Sequence, residues 1–355
     1  MYPALAVWQR LAPDAPQVLW VGGQGGMEED LVRRAGLPFR AIPAAGVHGV
    51  GWRALPGNLL RLARGTFAAR RVLAEFRPQA MFFTGGYVAG PVGLAGWRIP
   101  TLLYVPDIEP GLALKVLTRF ADLIAVTVED SQRFFPGKRV VVTGYPVRQE
   151  IAAWVGRQAE ARQRLDLRAN EPVLLVFGGS KGARSLNQAL AAHLEPLLEM
   201  TQVVHISGRL DWPTVQARQQ ALPPELQRRY RAFPFLYDAD MGAALAAADL
   251  VVSRAGASVL GEFPLFGLPA VLVPYPHAWR YQQVNAQWLA DRGAARIVAD
   301  ADLPTQLLPV VRDLLHDAPA RQAMRQAMLR LARPDAAARI ADLLRGLTRH
   351  EESAP

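Results

Sequence analysis

Between Ser253 and Asn285 the chain reads SRAGASVLGEFPLFGLPAVLVPYPHAWRYQQVN, and its polar residues are spaced to hold a phosphorylated sugar. Arg254-Ala255-Gly256-Ala257 is the turn that follows a short apolar run, Asp249–Ser253, and precedes a helical pattern over Ser258–Phe266. A glycine there lets a phosphate approach the backbone, and the free N–H groups at a helix start can hold it. Glu262 comes one helical turn after Ser258, where a carboxylate can accept both hydroxyls of a ribose. Gln282 and Asn285 lie beyond the next apolar run, Ala270–Val273, and their amides suit the hydroxyls of a sugar. The chemistry implied is capture of a nucleoside diphosphate sugar.

These residues need a scaffold that gathers the ends of several strands. The pattern supplies one. Strands are predicted at Val18–Val21, Phe39–Ile42, Ala80–Phe83, Thr101–Tyr104, Leu123–Val126 and Arg139–Thr143, alternating with helices at Ala4–Leu11, Met27–Ala35, about Asn58–Phe76 and Leu112–Phe120. A charged helix, Gln149–Leu165, leads to a second half with strands Val173–Phe177, Gln202–Ile206, Arg231–Phe235, Asp249–Ser253, Ala270–Val273 and Ala295–Ile297. The tail from Asp335 is helical. Strand and helix alternating twice predicts an α/β protein of two Rossmann-like domains facing a cleft, with ligands beyond the carboxyl ends of the strands. The expected domains are 1–148, rejoined by the tail helix 335–355, and 149–334.

The 355 residues suffice for two such domains. They include no cysteine, which excludes disulfides and thiolate chemistry. No run reaches the roughly 20 apolar residues of a membrane span, and with no basic stretch ahead of its first helical pattern no signal peptide is expected. A net charge of +9, from 40 basic and 31 acidic residues, favours anionic partners. Zinc knuckles, aromatic stacking motifs and basic blocks are absent from the sequence, so no nucleic-acid partner is expected.

Over essentially its whole length the chain resembles the MurG family, the membrane-associated N-acetylglucosaminyltransferases of peptidoglycan synthesis. The segments that carry the resemblance are YPALAV (2–7), MEEDLV (27–32), GGYVAGP (85–91), GYPVR (144–148), GGSKGARSLNQ (178–188), SRAGA (253–257), GE (261–262), GLPAVLVPYPH (267–277) and QQVNA (282–286). The resemblance implies a type B glycosyltransferase fold and an inverting transfer of N-acetylglucosamine from UDP-N-acetylglucosamine to undecaprenyl-diphosphate-N-acetylmuramoyl-pentapeptide. It implies UDP in the second domain, with the acceptor and the membrane side in the first, at the cytoplasmic face of the cell membrane. Carried over by motif, Glu262 meets ribose, Arg254 lies beside the donor, and the amides of Ala257 and Ser258 meet the diphosphate. Gln282 contacts the sugar, Ser180 and Arg148 lie near the phosphates, and Gly85, Gly86 and Tyr87 belong to the acceptor loop. No cofactor and no metal are expected.

The acceptor half departs from the family. The family's acceptor tetrad H-E-Q-N is here Tyr104-Val105-Pro106-Asp107, which leaves Asp107 as the candidate base. Tyr145 replaces the asparagine of G-N-P-V-R, and Tyr281 replaces the polar residue before Gln282. The family's first strand and its G-G-T-G-G-H loop would stand just before Tyr2, so Met1 is expected not to be the natural start. Other lipid-directed transferases, a UDP-N-acetylglucosamine 2-epimerase and a non-catalytic UDP-sugar binder remain alternatives.

Several features have simpler readings. Gly178–Gly182 is a phosphate loop or only a tight turn, and Gly22–Gly26 is read as structural. Asp238-Ala239-Asp240 spells a metal-binding D-x-D, but it precedes a helix, so Asp240 is expected as an N-cap. His277 ends a strand in a proline-rich turn, where a structural hydrogen bond is expected. His48 lies on a glycine-flanked loop. The helix Asn58–Phe76 carries Arg61, Arg64, Arg70 and Arg71 beside Leu59, Leu60, Leu62, Phe67 and Leu73, a pattern that fits either a core face or an anionic membrane surface.

Overall fold

The computed structural model describes residues 1–25, 28–44, 55–179, 182–277 and 280–352. His48 and Ser180 lie outside the described residues. The chain divides into two compact units, Met1–Pro146 with Asp335–Pro355, and Val147–Pro334.

Unit 1 contains the strands β1 (Trp20–Gly23), β2 (Phe39–Ile42), β3 (Met81–Phe83), β4 (Thr101–Val105), β5 (Leu123–Val126) and β6 (Val140–Val142). All pair in parallel, in two ladders, β1-β2 and β3-β4-β5-β6. The two-residue period of a strand sends alternate side chains to opposite faces. Leu103, Val105, Ile124 and Val126 accordingly pack with Ala69, Val92, Leu114 and Leu117. Leu102, Tyr104, Leu123 and Ala125 pack on the other face with Val7, Ile340, Ala341 and Leu344. The helix Tyr2–Leu11 and the tail helix Ala336–Glu352 therefore close the second face.

Unit 2 is a single six-stranded parallel sheet of β7 (Val173–Phe177), β8 (Gln202–Ile206), β9 (Tyr230–Phe233), β10 (Leu250–Ser253), β11 (Ala270–Leu272) and β12 (Ala295–Ile297). Their spatial order is β12-β11-β10-β7-β8-β9. Counted from β7, this is the doubly wound order 3-2-1-4-5-6, whose connections reverse direction between β7 and β10. Helices cover both faces, which is why β7 and β10 read as unbroken apolar runs, VLLVF and LVVS.

Element boundaries differ from the sequence reading where turn chemistry intervenes. The expected helix Gln149–Leu165 is two helices, Gln149–Ala152 and Gln158–Arg164, separated by a turn at Gly156. The expected helix Ser258–Phe266 is a 3-10 turn, Ala257–Leu260, then a short α-helix, Glu262–Phe266, broken at Gly261. Asp240 is not an N-cap: the helix begins earlier, at Asp238, and the Asp240 carboxylate accepts from Arg164 at 2.8 and 2.6 Å. Two helices not expected from the sequence, Leu303–His316 and Ala318–Leu331, complete unit 2. Among the described residues no helix is long and apolar enough to cross a membrane, and no cluster of three or more metal-ligating side chains occurs.

Candidate functional site

The reversal point of the unit 2 sheet lies between β7 and β10, each followed by a glycine-bearing segment of the sequence. After β7, Gly178 and Gly179 lead to Gly182, which sits at φ +77° with its α-carbon against the Ser207 carbonyl. A side chain there would place its Cβ 2.5 Å from that oxygen, so only glycine permits the approach. Helix Arg184–Ala192 starts immediately beyond.

After β10 the backbone turns through Gly256 into the 3-10 turn. No side chain caps this turn, and its first backbone-bonded amide is Val259, which donates to Gly256 at 3.1 Å. The amides of Ala257 and Ser258 precede that bond, on half-buried residues. Glu262 opens the following helix, half-buried, with a hydrogen bond from Ser258 and the Arg148 charge nearby. Burial pushes the carboxyl up to about 7, and Arg148 and Ser258 only partly oppose that shift. Two of the expected site residues, Ser258 and Glu262, are thus in contact, and Arg148 stands close enough to act on Glu262 electrostatically. Arg148 itself ion-pairs with Asp238.

The amide side chains brace this turn. Asn285 is fully buried and donates to Ala255 O at 3.2 Å. Gln282 Oε1 accepts from the Tyr275 amide at 2.8 Å. His277 is exposed and packs edge-on to the Tyr275 ring at 5.4 Å.

Arg254, expected beside the donor, is 8 % exposed and bonded within the protein, to Asp300, Ser185 and the Val273 carbonyl. Asp300 and Ser185 were not singled out in the sequence. They lie 46 and 69 positions from Arg254, and no local motif marks such a pairing.

In unit 1 the loops after β3 and β4 abut. Gly85 and Gly86 have φ of +103° and +99°, and Leu114, from the helix after the β4 loop, lies beside Gly85. Tyr87 is 65 % exposed. Asp107 is half-buried in the β4 loop. Tyr104, which stands where the family has histidine, is fully buried and cannot serve as a base. Its hydroxyl lies 2.8 Å from Thr127 Oγ1 and donates to Gly144 O at 3.3 Å, and burial pushes the phenol above its ordinary range. Gly23 N–H donates to the Glu28 carboxylate at 3.2 Å, so an anion of the chain itself already occupies that glycine loop.

Comparison with known proteins gives matches over the whole chain. The model of the glycosyltransferase family 28 N-terminal domain matches residues 1–126, and that of the C-terminal domain matches residues 173–340. The chain is similar to a protein of Roseiflexus sp. named UDP-N-acetylglucosamine--N-acetylmuramyl-(pentapeptide) pyrophosphoryl-undecaprenol N-acetylglucosamine transferase. The two are 42 % identical over 376 residues, covering 95 % of this chain and 85 % of the relative. A protein of the same name from Desulforudis audaxviator is 40 % identical over 361 residues, covering 98 % and 95 %. Among solved structures, MurG of Acinetobacter baumannii superimposes with a TM-score of 0.73 at 30 % identity, over 97 % of this chain and 95 % of that one. The calicheamicin glycosyltransferase CalG4 shares the fold, with a TM-score of 0.69 at 18 % identity over 100 % and 96 % of the two chains.

Proposed function

The chain belongs to the MurG family within glycosyltransferase family 28, an N-acetylglucosaminyltransferase of type B fold, and from that membership we infer its substrates and the roles of its residues. The reaction moves N-acetylglucosamine from UDP-N-acetylglucosamine to undecaprenyl-diphosphate-N-acetylmuramoyl-pentapeptide, the step from lipid I to lipid II, with inversion at the anomeric carbon. The observation that carries this reading is the reversal point of unit 2. There Gly182, the Ala257 and Ser258 amides and Glu262 lie on the two loops that a doubly wound sheet offers a nucleotide.

In this reading the Ala257 and Ser258 amides hold the diphosphate and stabilise the charge that builds on departing UDP. Arg148 exchanges Asp238 for a phosphate, Glu262 takes the ribose hydroxyls and the Gln282 nitrogen meets the sugar. Gly85, Gly86 and Tyr87 receive the acceptor diphosphate in unit 1, and Asp107 removes the proton of the attacking hydroxyl. Incubating the protein with UDP-N-acetylglucosamine and lipid I tests the whole assignment. Lipid II and UDP are expected in equal amounts. UDP binding without turnover would reduce the protein to a UDP-sugar binder. Buried Tyr104 in place of an acceptor-side histidine favours one second reading, a transferase of the same family chemistry directed to another lipid, and a parallel arm with diacylglycerol separates the two.

The lipid acceptor also calls for a membrane-facing surface, and unit 1 has one to offer. Leu60 (53 %) and Phe67 (69 %) are exposed on the helix Leu55–Phe76, Leu94 and Trp97 stand exposed at the end of the next helix, and Leu112 and Val116 on the one after. Exposed Arg61, Arg64, Arg70, Arg71, Arg98, Lys115 and Arg119 interleave with them. Apolar groups ringed by cations suit a peripheral site on anionic lipid at the cytoplasmic leaflet. Sedimentation with vesicles should show binding to anionic lipid that weakens as salt rises, since exposed charges are screened beyond about 8 Å at physiological ionic strength. Phe67→Ser with Trp97→Ser should abolish most of it. Equal partitioning onto neutral and anionic vesicles at low salt would refute this surface.

A further inference from the structure

One guanidinium joins four neighbouring strand-end loops of unit 2. Arg254, after β10, ion-pairs with Asp300 after β12 at 2.5 Å. Its Nη1 also donates to Val273 O after β11 at 3.2 Å, and its Nη2 donates to Ser185 Oγ after β7 at 2.7 Å. Ser185 completes a triangle by donating its own proton to Asp300 Oδ1 at 2.7 Å. The guanidinium also lies over the Tyr275 ring, 5.2 Å from its centre. Each strand named is the next in the sheet, in the order β12-β11-β10-β7.

Ser185 is the second residue of the helix that begins where the glycine loop 178–182 ends. A second anchor fixes the other side of that helix start. Asn187 donates to Ser207 O and to Asp211, each at 2.8 Å, and its oxygen lies 3.0 Å from buried His205 Nε2. Gly182 rests on the same Ser207 carbonyl. The start of helix Arg184–Ala192, with Gly182 before it, therefore sits between two buried polar anchors, one of them the Arg254–Asp300–Ser185 triangle.

We propose that Arg254, Asp300 and Ser185 are positioning residues for the donor: they form a latch that fixes the start of helix Arg184–Ala192, with Gly182 before it, relative to the turn after β10, so that both present backbone amides to one diphosphate. The proposal rests on the donor reading above. Asp300 neutralises Arg254, so the latch supplies order and no net charge to the site. A loop held this way binds the donor equally in the ground state and the transition state, and losing it raises KM while leaving kcat in place.

The test uses the full chain with UDP-N-acetylglucosamine and lipid I, and UDP alone in calorimetry. Ser185→Ala is expected to raise the donor KM and the UDP Kd about tenfold, with kcat within about twofold; the thermal midpoint should fall as well, because hydrogen bonds to charged groups are lost from the folded protein, so binding is read well below it. Asp300→Asn should weaken donor and UDP binding likewise, with a clear fall in thermal midpoint because the buried Arg254 cation loses its carboxylate, and the double variant should bind no more weakly than the worse single one, since both break one unit. Arg254→Lys should fail to restore affinity, because one ammonium cannot reproduce the planar fork. The salt dependence of UDP binding should match wild type in Ser185→Ala. Wild-type affinity in both Ser185→Ala and Asp300→Asn would overturn the latch. Wild-type affinity in Arg254→Lys would overturn it in favour of a direct charge contact with phosphate, which one ammonium can supply. Failure of the wild-type protein to bind UDP would instead remove the donor reading on which the latch depends.

Discussion

Glu262→Ala will weaken UDP binding by about 1.5–3 kcal/mol, or roughly 10- to 150-fold, the range for losing hydrogen bonds to a charged group. The acid opens the helix after the 3-10 turn, held by Ser258, and its carboxyl is pushed up to about 7 by burial. Two consequences of opposite sign follow. A carboxylate accepts two ribose hydroxyls only when ionised, so UDP affinity of the wild-type protein should rise with pH through about 7 and level off above it. In the ligand-free protein the group is easier to protonate than in the unfolded chain. Its contribution to stability is therefore full below the ordinary value of 4.5 and is lost as pH rises through about 7. Glu262→Gln should accordingly raise the thermal midpoint at pH 8 while it lowers UDP affinity. Calorimetry between pH 6 and 8.5, paired with thermal melts, checks both. Unchanged affinity in Glu262→Ala would remove this residue from the site.

The largest loss of stability is expected from Asp249→Ala. Asp249 precedes β10, and its Oδ2 accepts from Arg162 Nη2 at 2.7 Å and from the Val173 amide at 2.8 Å, tying the starts of β10 and β7 together. Arg162 is 9 % exposed, and it also donates to the Ala247 and Ala169 carbonyls. Removing the carboxylate leaves a buried cation and a buried N–H without their acceptor. Breaking such a pair from one side costs about 3–5 kcal/mol, far more than the intact pair is worth against an apolar replacement. Urea denaturation followed by tryptophan fluorescence should show the midpoint fall with little change in slope. A loss under about 1 kcal/mol would mean that solvent reaches Arg162 freely.

What the sequence disclosed follows from the range over which each feature acts. The strands of unit 2 were legible because burial on both faces forces apolar runs, and the turn ahead of helix Arg184–Ala192 because a close backbone approach at Gly182 demands glycine. Glu262 and Ser258 were legible as a pair because they are one helical turn apart. Partners far apart in the chain were not. Nothing near Arg254 announces Asp300, and nothing near Asp240 announces Arg164, so the partners of Arg254 went unseen and Asp240 reads from the sequence as a cap. The helices Leu303–His316 and Ala318–Leu331 were obscured by proline at 304, 309 and 319, although Leu307, Val311, Leu314 and Leu315 lie on one buried stripe. The paired Gly85 and Gly86 marked a loop, but the residues after Tyr104 gave no hint that its ring would turn into the sheet.

The tail helix Ala336–Glu352 closes the second face of unit 1, yet the ribosome makes it only after all of unit 2. Nascent chains grow at about 5–20 residues per second, and domains fold as they emerge. Unit 2 can thus complete its core while Val7, Leu102, Tyr104 and Leu123 are still waiting for Ile340, Ala341 and Leu344. The half that begins first finishes last. Any translational stall or premature stop before residue 336 would release a protein with one sound half and one apolar sheet face covered only by helix Tyr2–Leu11, a substrate for chaperones and proteases.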